Sequence, residues 1–292
     1  MAGAFHLSLR VAMMTLTFRS TRLKSTLFPY LTRHSLRVNR ATAHVWLLSL
    51  LAVVAVIPAE PVLAADQSAA KLKLVELYTS HGCSSCPSAD ALLGELLEEN
   101  EDLLALEFHV DYWDNLVHGN DGNFVDPFSQ ARYSARQREY NTASLSGRPG
   151  VYTPQAIVNG RFAAVGSNRQ HITRALATDQ KQALQIQVSA GQTPDTLNIA
   201  VTGNSEQLTQ LAGTDIRVAH YIDQVATYIT GGENRDKTLV NHNIVKSLKT
   251  LGEVSASAEM SFSIEKPADD GGCVILVQED ALTPIYAAHA CP

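Results

Sequence analysis

The chain has 292 residues, enough for two ordinary domains, and its 45% hydrophobic and 18% charged content can fill a globular core. Four cysteines are too few for a scaffold built on disulfides. The formal net charge of −6 argues against nucleic acid or an anionic membrane surface as partner.

The first 64 residues are unlike the rest. They hold seven basic residues (Arg10, Arg19, Arg22, Lys24, Arg33, Arg37, Arg40) and one acidic residue, Glu60. The apolar run "VWLLSLLAVVAVI", Val45 to Ile57, follows the basic segment. It suits the core of a signal peptide and is short for a membrane span, which needs roughly 20 residues. Val62-Leu63-Ala64 then offers a cleavage site, so residues 1–64 read as a leader. An uncleaved anchor or an organelle transit peptide are the competing readings. Removal of the leader lowers Lys+Arg from 23 to 16 and Asp+Glu from 29 to 28, leaving a net charge of −12. A periplasmic or secreted location is expected, with no stable membrane span after cleavage. In that oxidising setting cysteine pairs persist as disulfides.

The mature chain then alternates. "KLKLVELYT" predicts a strand and "SADALLGELLEEN" a helix, with Leu92, Leu93, Leu96 and Leu97 on one face. "LLALEFHVD" predicts a second strand, and a polar loop runs from Asn115 to Asn123. "DPFSQARYSARQREYNTA" predicts a helix with Asp126 as cap and Pro127 in the first turn. "YTPQAIVNG" and "RFAAVG" predict a hairpin around Asn-Gly, and "NRQHITRALATDQKQ" a closing helix. This β-α-β-α-β-β-α order implies an α/β layer with a mixed sheet over residues 65–182. Beyond it, seven short β-type runs and one weak helix candidate, "NHNIVKSLKTL", predict a β-sandwich over residues 183–292.

Cys83 and Cys86 sit in "HGCSSCPSAD", between the first strand and the first helix. Unpaired backbone N–H groups at a helix start favour a thiolate there. The spacing lets Cys83 attack a disulfide and Cys86 resolve the intermediate. No organic cofactor is needed, since the sulfurs carry the electrons. Two other readings compete. His81, Cys83 and Cys86 can hold copper(I), whereas a zinc site lacks a fourth ligand nearby. A purely structural disulfide is the third. Thr153-Pro154 opens a later strand after a Gly-rich loop. A cis bond there would leave the Thr153 backbone free to pair with an extended substrate, while a trans bond would mark only an edge strand.

"VELYTSHGCSSCPSAD" and the Thr-Pro before "QAIVNG" resemble the thioredoxin superfamily, and "YTSHGCSSC" is closest to glutaredoxin in spacing. Together with "FHVDYWD", "ARQREY" and "GGENRDKTLVNHNIVKSL", they resemble a bacterial family of exported thioredoxin-like proteins known only as a domain of unknown function. The resemblance implies a thioredoxin-like fold but no substrate. Gly82 stands where thioredoxin carries tryptophan, and Leu77 where it carries a buried acid, with Glu76 one residue earlier.

Other residues carry paired readings. His109, Asp111, Trp113 and Asp114 end the second strand, where they line a site or cap the chain. Arg136, Gln137 and Tyr140 form a solvated helix face or cover the cysteines. Ser144, Ser146 and His109 make no triad, because a nucleophile elbow is missing. "GGENRDK" reads as a turn, and His242 as packed. Cys273 and Cys291 flank a turn centred near Leu282, so an antiparallel hairpin sets them opposite each other, within disulfide reach.

The expected function is thiol–disulfide exchange with another exported protein, with Cys83, Cys86, Thr153 and Pro154 as site residues. The alternative is a binding or assembly module, in which the pair is a copper ligand or a fixed disulfide. A further reading makes the sandwich the partner-binding part.

Overall fold

The computed structural model describes residues 70–114, 124–143 and 145–292. The leader (1–64), the 115–123 loop and Ser144 lie outside the described residues.

The chain begins β1 (Leu74–Thr79), α1 (Pro87–Glu99), β2 (Leu104–His109), α2 (Ala131–Thr142). A two-residue β3 (Ser146–Gly147), the hairpin β4 (Gln155–Val158) and β5 (Phe162–Val165), and α3 (Arg169–Leu176) complete the first region. Then come β6 (Gln185–Ala190), β7 (Thr196–Thr202), α4 (Ser205–Gln210), β8 (Asp215–Tyr228) and β9 (Thr238–Glu253). β10 (Met260–Glu265), β11 (Gly271–Gln278) and β12 (Ile285–Ala290) close the chain. The expected α/β layer followed by an all-β region is what the chain forms.

One nine-stranded sheet has the order β12-β11-β8-β9-β2-β1-β4-β5-β3, and a small antiparallel sheet has the order β10-β7-β6. β1 and β2 are parallel, β4 and β5 run against them, and β9 joins the edge of β2 through Glu107 and Ile244. The large sheet therefore crosses residue 182, where the sequence pattern changes.

Strand alternation sorts the core. In β1, Val75 and Leu77 pack against Leu92, Leu93 and Leu96 of α1 and Ile172 of α3. Leu74 and Tyr78 face the other way, with Phe108, Tyr133 and Tyr140, and with Val245, Val274 and Leu276 from the second region. A third cluster fills the space between the two sheets: Ile199 and Val201 meet Ile216, Val218, Ile275 and Val277. This is the expected sandwich, with one of its layers supplied by the large sheet.

Three local expectations change. "NHNIVKSLKTL" lies in β9 and is not helical. Its register against β8 shifts twice, leaving Lys246 and Leu251 as extra residues. Each bulge adds one residue to the two-residue period, so Val245, Leu248 and Leu251 fall at a helix-like spacing of three. Second, Asp126 does not cap α2, which starts five residues later with Gln130 as its N-cap. Third, "DIRVAHYID" and "QVATYIT" form one strand. The short α4 also arises unpredicted, although Asn204 and Gln207 make a full capping box.

The hairpin register is as expected. Val274 pairs with Ala290 and Ile275 with His289, and Cys273 and Cys291 form a disulfide with Cα atoms 5.1 Å apart. Cys291 N–H donates to Cys273 O at 2.7 Å, so the pair is hydrogen-bonded, not the non-hydrogen-bonded kind expected. The wider Cα spacing follows.

Candidate functional site

β1 ends at Thr79, and a tight turn leads into α1. Cys83 N–H donates to Ser80 O and Cys86 N–H to Cys83 O, each at 3.2 Å. Cys86 is the N-cap of α1 and Pro87 opens its first turn, where no N–H is needed. Cys83 and Cys86 are joined as a disulfide with Cα atoms 5.4 Å apart. Ser85 Oγ lies 3.4 Å from Cys83 Sγ. Ser84 and Ser85 are exposed, but both cysteines are 0% exposed.

The cover comes from "GGENRDK", the turn joining β8 to β9. Asn234 is buried, and its Nδ2 donates to the carbonyls of His81 and Cys83, both at 2.9 Å. Glu233 accepts from Ser84 N–H at 2.9 Å, which draws its carboxyl below the usual range. A carboxylate thus takes a donor at the helix start, the place where a thiolate would be stabilised.

Thr153-Pro154 is cis. Trp113 Nε1 donates to Thr153 Oγ1 at 2.7 Å, and Gln137 Nε2 to Tyr152 O at 2.7 Å. Gly166 has no Cβ; one placed there would sit 3.0 Å from both Pro154 Cβ and Ala89 Cβ. Those two atoms are therefore at most twice that distance apart, so the Pro154 loop packs against the first turn of α1.

Beneath the disulfide turn lies a buried polar cluster. His81, His109, Asp126, Glu107, Asp90, Thr79 and Asn241 are all at most 2% exposed. Asp126 Oδ2 accepts from His81 N–H at 2.8 Å and lies 2.8 Å from His109 Nδ1. Burial disfavours the Asp126 carboxylate, but the two histidines outweigh it and hold its pKa well below the usual range. Burial also opposes a charge on His109, yet Asp126 and Glu107 raise its pKa to about 10. Burial dominates at His81 and lowers its pKa. Burial, then Glu107, push Asp90 well above the usual carboxylate range; Asp90 accepts from Thr79 Oγ1 at 2.6 Å.

Residues 74–278 match the family described as Protein of unknown function (DUF1223). The chain belongs to this family. An X-ray crystal structure of a protein from Agrobacterium tumefaciens, a structural genomics target, is 27% identical with a TM-score of 0.59. That match covers 76% of this chain and 96% of the other. HBP35 of Porphyromonas gingivalis is similar in fold, at 13% identity and a TM-score of 0.52, over 76% of this chain and 75% of that one. No curated protein matches this chain. In this DUF1223 member, then, a Cys-Ser-Ser-Cys disulfide sits in a thioredoxin-like fold.

The other candidate residues fall into place around it. Glu76 points away from the disulfide, on the face of β1 shared with Tyr78. There it receives two hydrogen bonds from Arg136, at 3.0 and 2.7 Å, and one from Tyr140. Arg136, Gln137 and Tyr140 are thus buried, neither a solvated face nor a cover for the cysteines. Asp111 and Asp114 cap: Asp111 accepts from Ser134 Oγ at 2.5 Å, and Asp114 from Asp126 N–H at 2.9 Å and Ser129 Oγ at 2.6 Å. His242 packs onto Gly94 of α1. His81 turns its ring toward Asp126 and Asn241. Sequence reasoning missed Glu233, Asn234, Asn241, Asp90 and Glu107. "GGENRDK" carried the one signal for the first two, as a polar turn inside a family-like stretch.

Proposed function

We propose that this protein is an exported thiol–disulfide exchange protein whose substrate is another exported protein. The observation that carries the reading is the Cys83–Cys86 disulfide at the junction of β1 and α1, with the cis Thr153-Pro154 loop packed nearby. In the oxidised form the pair accepts two electrons. A substrate thiolate attacks one sulfur, a mixed disulfide forms, and the substrate's second thiolate displaces Cys83 to leave an oxidised substrate and a reduced pair. In the reducing direction Cys83 is the nucleophile and Cys86 the resolver. The Thr153 backbone offers the extended substrate a pairing edge. Export rests on the leader, and the mature chain then begins at Ala65; the intact mass of the exported protein checks this, and a product retaining residues 1–57 refutes it.

The deciding experiment uses Cys86→Ser, purified from the native host without reductant. Cys83 should hold discrete protein partners through bonds that dithiothreitol releases. A second reading, a binding module with a fixed disulfide, is favoured by the complete burial of both sulfurs. It predicts that Cys86→Ser traps nothing.

A further inference from the structure

We propose that His81, His109 and Asp126 form a binding site for one divalent transition ion of the zinc class, directly under the disulfide turn. The inference goes beyond thiol exchange and uses neither sulfur.

The three side chains come from the turn after β1, the end of β2 and the segment before α2, and all are buried. One ligand atom from each lies within 4.8 Å of the other two. Two imidazoles and a carboxylate are the donor set of a borderline divalent ion.

The tautomer of His81 makes the stronger argument. Its Nε2 lies 2.8 Å from Asn241 Oδ1. The Asn241 amide nitrogen faces Asp90 without a well-formed hydrogen bond, which orients the amide oxygen toward His81. His81 therefore donates from Nε2, and its Nδ1 carries a lone pair. That lone pair has no hydrogen-bond partner and points at Asp126 Oδ1, 3.4 Å away. Two acceptors thus face each other inside the protein.

Geometry selects what fits between them. A bridging water with bonds of about 2.8 Å would be bent to about 75°, far from its preferred angle. An ion with bonds of about 2.1 Å would see the two atoms at about 108°, close to the tetrahedral value. On the far side of the site, His109 Nδ1 lies 2.8 Å from Asp126 Oδ2, and the ion takes the place of the proton between them.

The outer contacts match as well. A metal-bound histidine holds its second nitrogen against a carbonyl or a carboxylate. His81 has the Asn241 carbonyl, and His109 Nε2 has Glu107 Oε2 at 3.7 Å. Both Glu107 oxygens are buried without hydrogen-bond partners, a negative charge that an ion on His109 would offset. Phe128 closes the site, with its ring 5.8 Å from His81 and 5.4 Å from His109.

The test is a titration of the chelator-washed, fully oxidised protein with Co²⁺, competed with Zn²⁺. One Co²⁺ per chain should bind, with the visible bands of a four- or five-coordinate ion held by nitrogen and oxygen, and no sulfur-to-cobalt charge-transfer band. Binding should persist in Cys83→Ser/Cys86→Ser and vanish in His81→Gln and Asp126→Asn. Glu107→Gln should weaken it by about 10–100-fold. The wild-type titration decides even where a variant fails to fold: no stoichiometric binding below about 10 μM, an ordinary affinity limit, overturns the proposal. So does binding that survives in folded His81→Gln, or that is lost with the cysteines. Exchange activity is scored separately, so either reading can fail alone.

Discussion

Asn234 shows how much one side chain can hold. Its amide spans two carbonyls of the disulfide turn, at 2.9 Å each. Asn234→Ala strands both acceptors, and we expect a loss of about 1–3 kcal/mol in denaturant unfolding. We also expect dithiothreitol to reduce Cys83–Cys86 several-fold faster, because the turn loses its cover; an unchanged rate would mean that the tip does not limit access. A second prediction concerns Arg136, whose charge answers the buried Glu76 at 2.7 Å. Arg136→Met leaves that carboxylate unpaired and should cost about 3–5 kcal/mol. Adding Glu76→Gln should recover part of the loss, and a double-mutant cycle measures how much. The cysteines and Pro154 were legible in the sequence because their meaning is local: a spacing of three, a strand before and a helix after. Asn234 and Asn241 were not. They reach His81 from 153 and 160 residues away, and no pattern within one element encodes that approach. Asp126 was misread for a related reason. Asp-Pro is a good helix start, but here the carboxylate is drawn inward by His81 and His109.

At the scale of elements, regular strands and helices were readable and irregular ones were not. The β11–β12 register followed from the position of its turn, since alternation leaves few alternatives once both ends are fixed. β9 hid behind its two bulges, and α4 is only six residues long. The hairpin disulfide invites a direct measurement. Cys273 and Cys291 enclose a separation of 18 residues, and loop-closure entropy assigns the bond about 2–4 kcal/mol. Cys291→Ser should lower stability by that amount. It should leave the reduction rate of Cys83–Cys86 unchanged, because the hairpin packs in the core between the two sheets and the disulfide turn does not. A changed rate would show that the C-terminal strands communicate with the turn.

At the scale of the whole molecule, the change of pattern near residue 182 marks where helices stop, yet the large sheet continues past it. β2 would be an edge strand without β9, and Leu74, Tyr78 and Phe108 share a cluster with Val245, Val274 and Leu276. A fragment of residues 65–182 is therefore expected to lack a cooperative unfolding transition and to bind a hydrophobic dye. A sharp, reversible transition would show that the first region stands alone. The class of each region was legible because periodicity reports local geometry, whereas the join between β2 and β9 rests on one residue pair far apart in sequence. The origin of the cover has a consequence in time. Ser84 precedes Glu233 by 149 residues. A ribosome working at about 5–20 residues per second needs roughly 7–30 s to cross that interval. Throughout it the two sulfurs have been made and their lid has not, so every new copy passes through an interval in which surrounding thiols and oxidants reach the pair freely. The oxidation state that each molecule carries into maturity is to that extent a record of where it was while it was being finished.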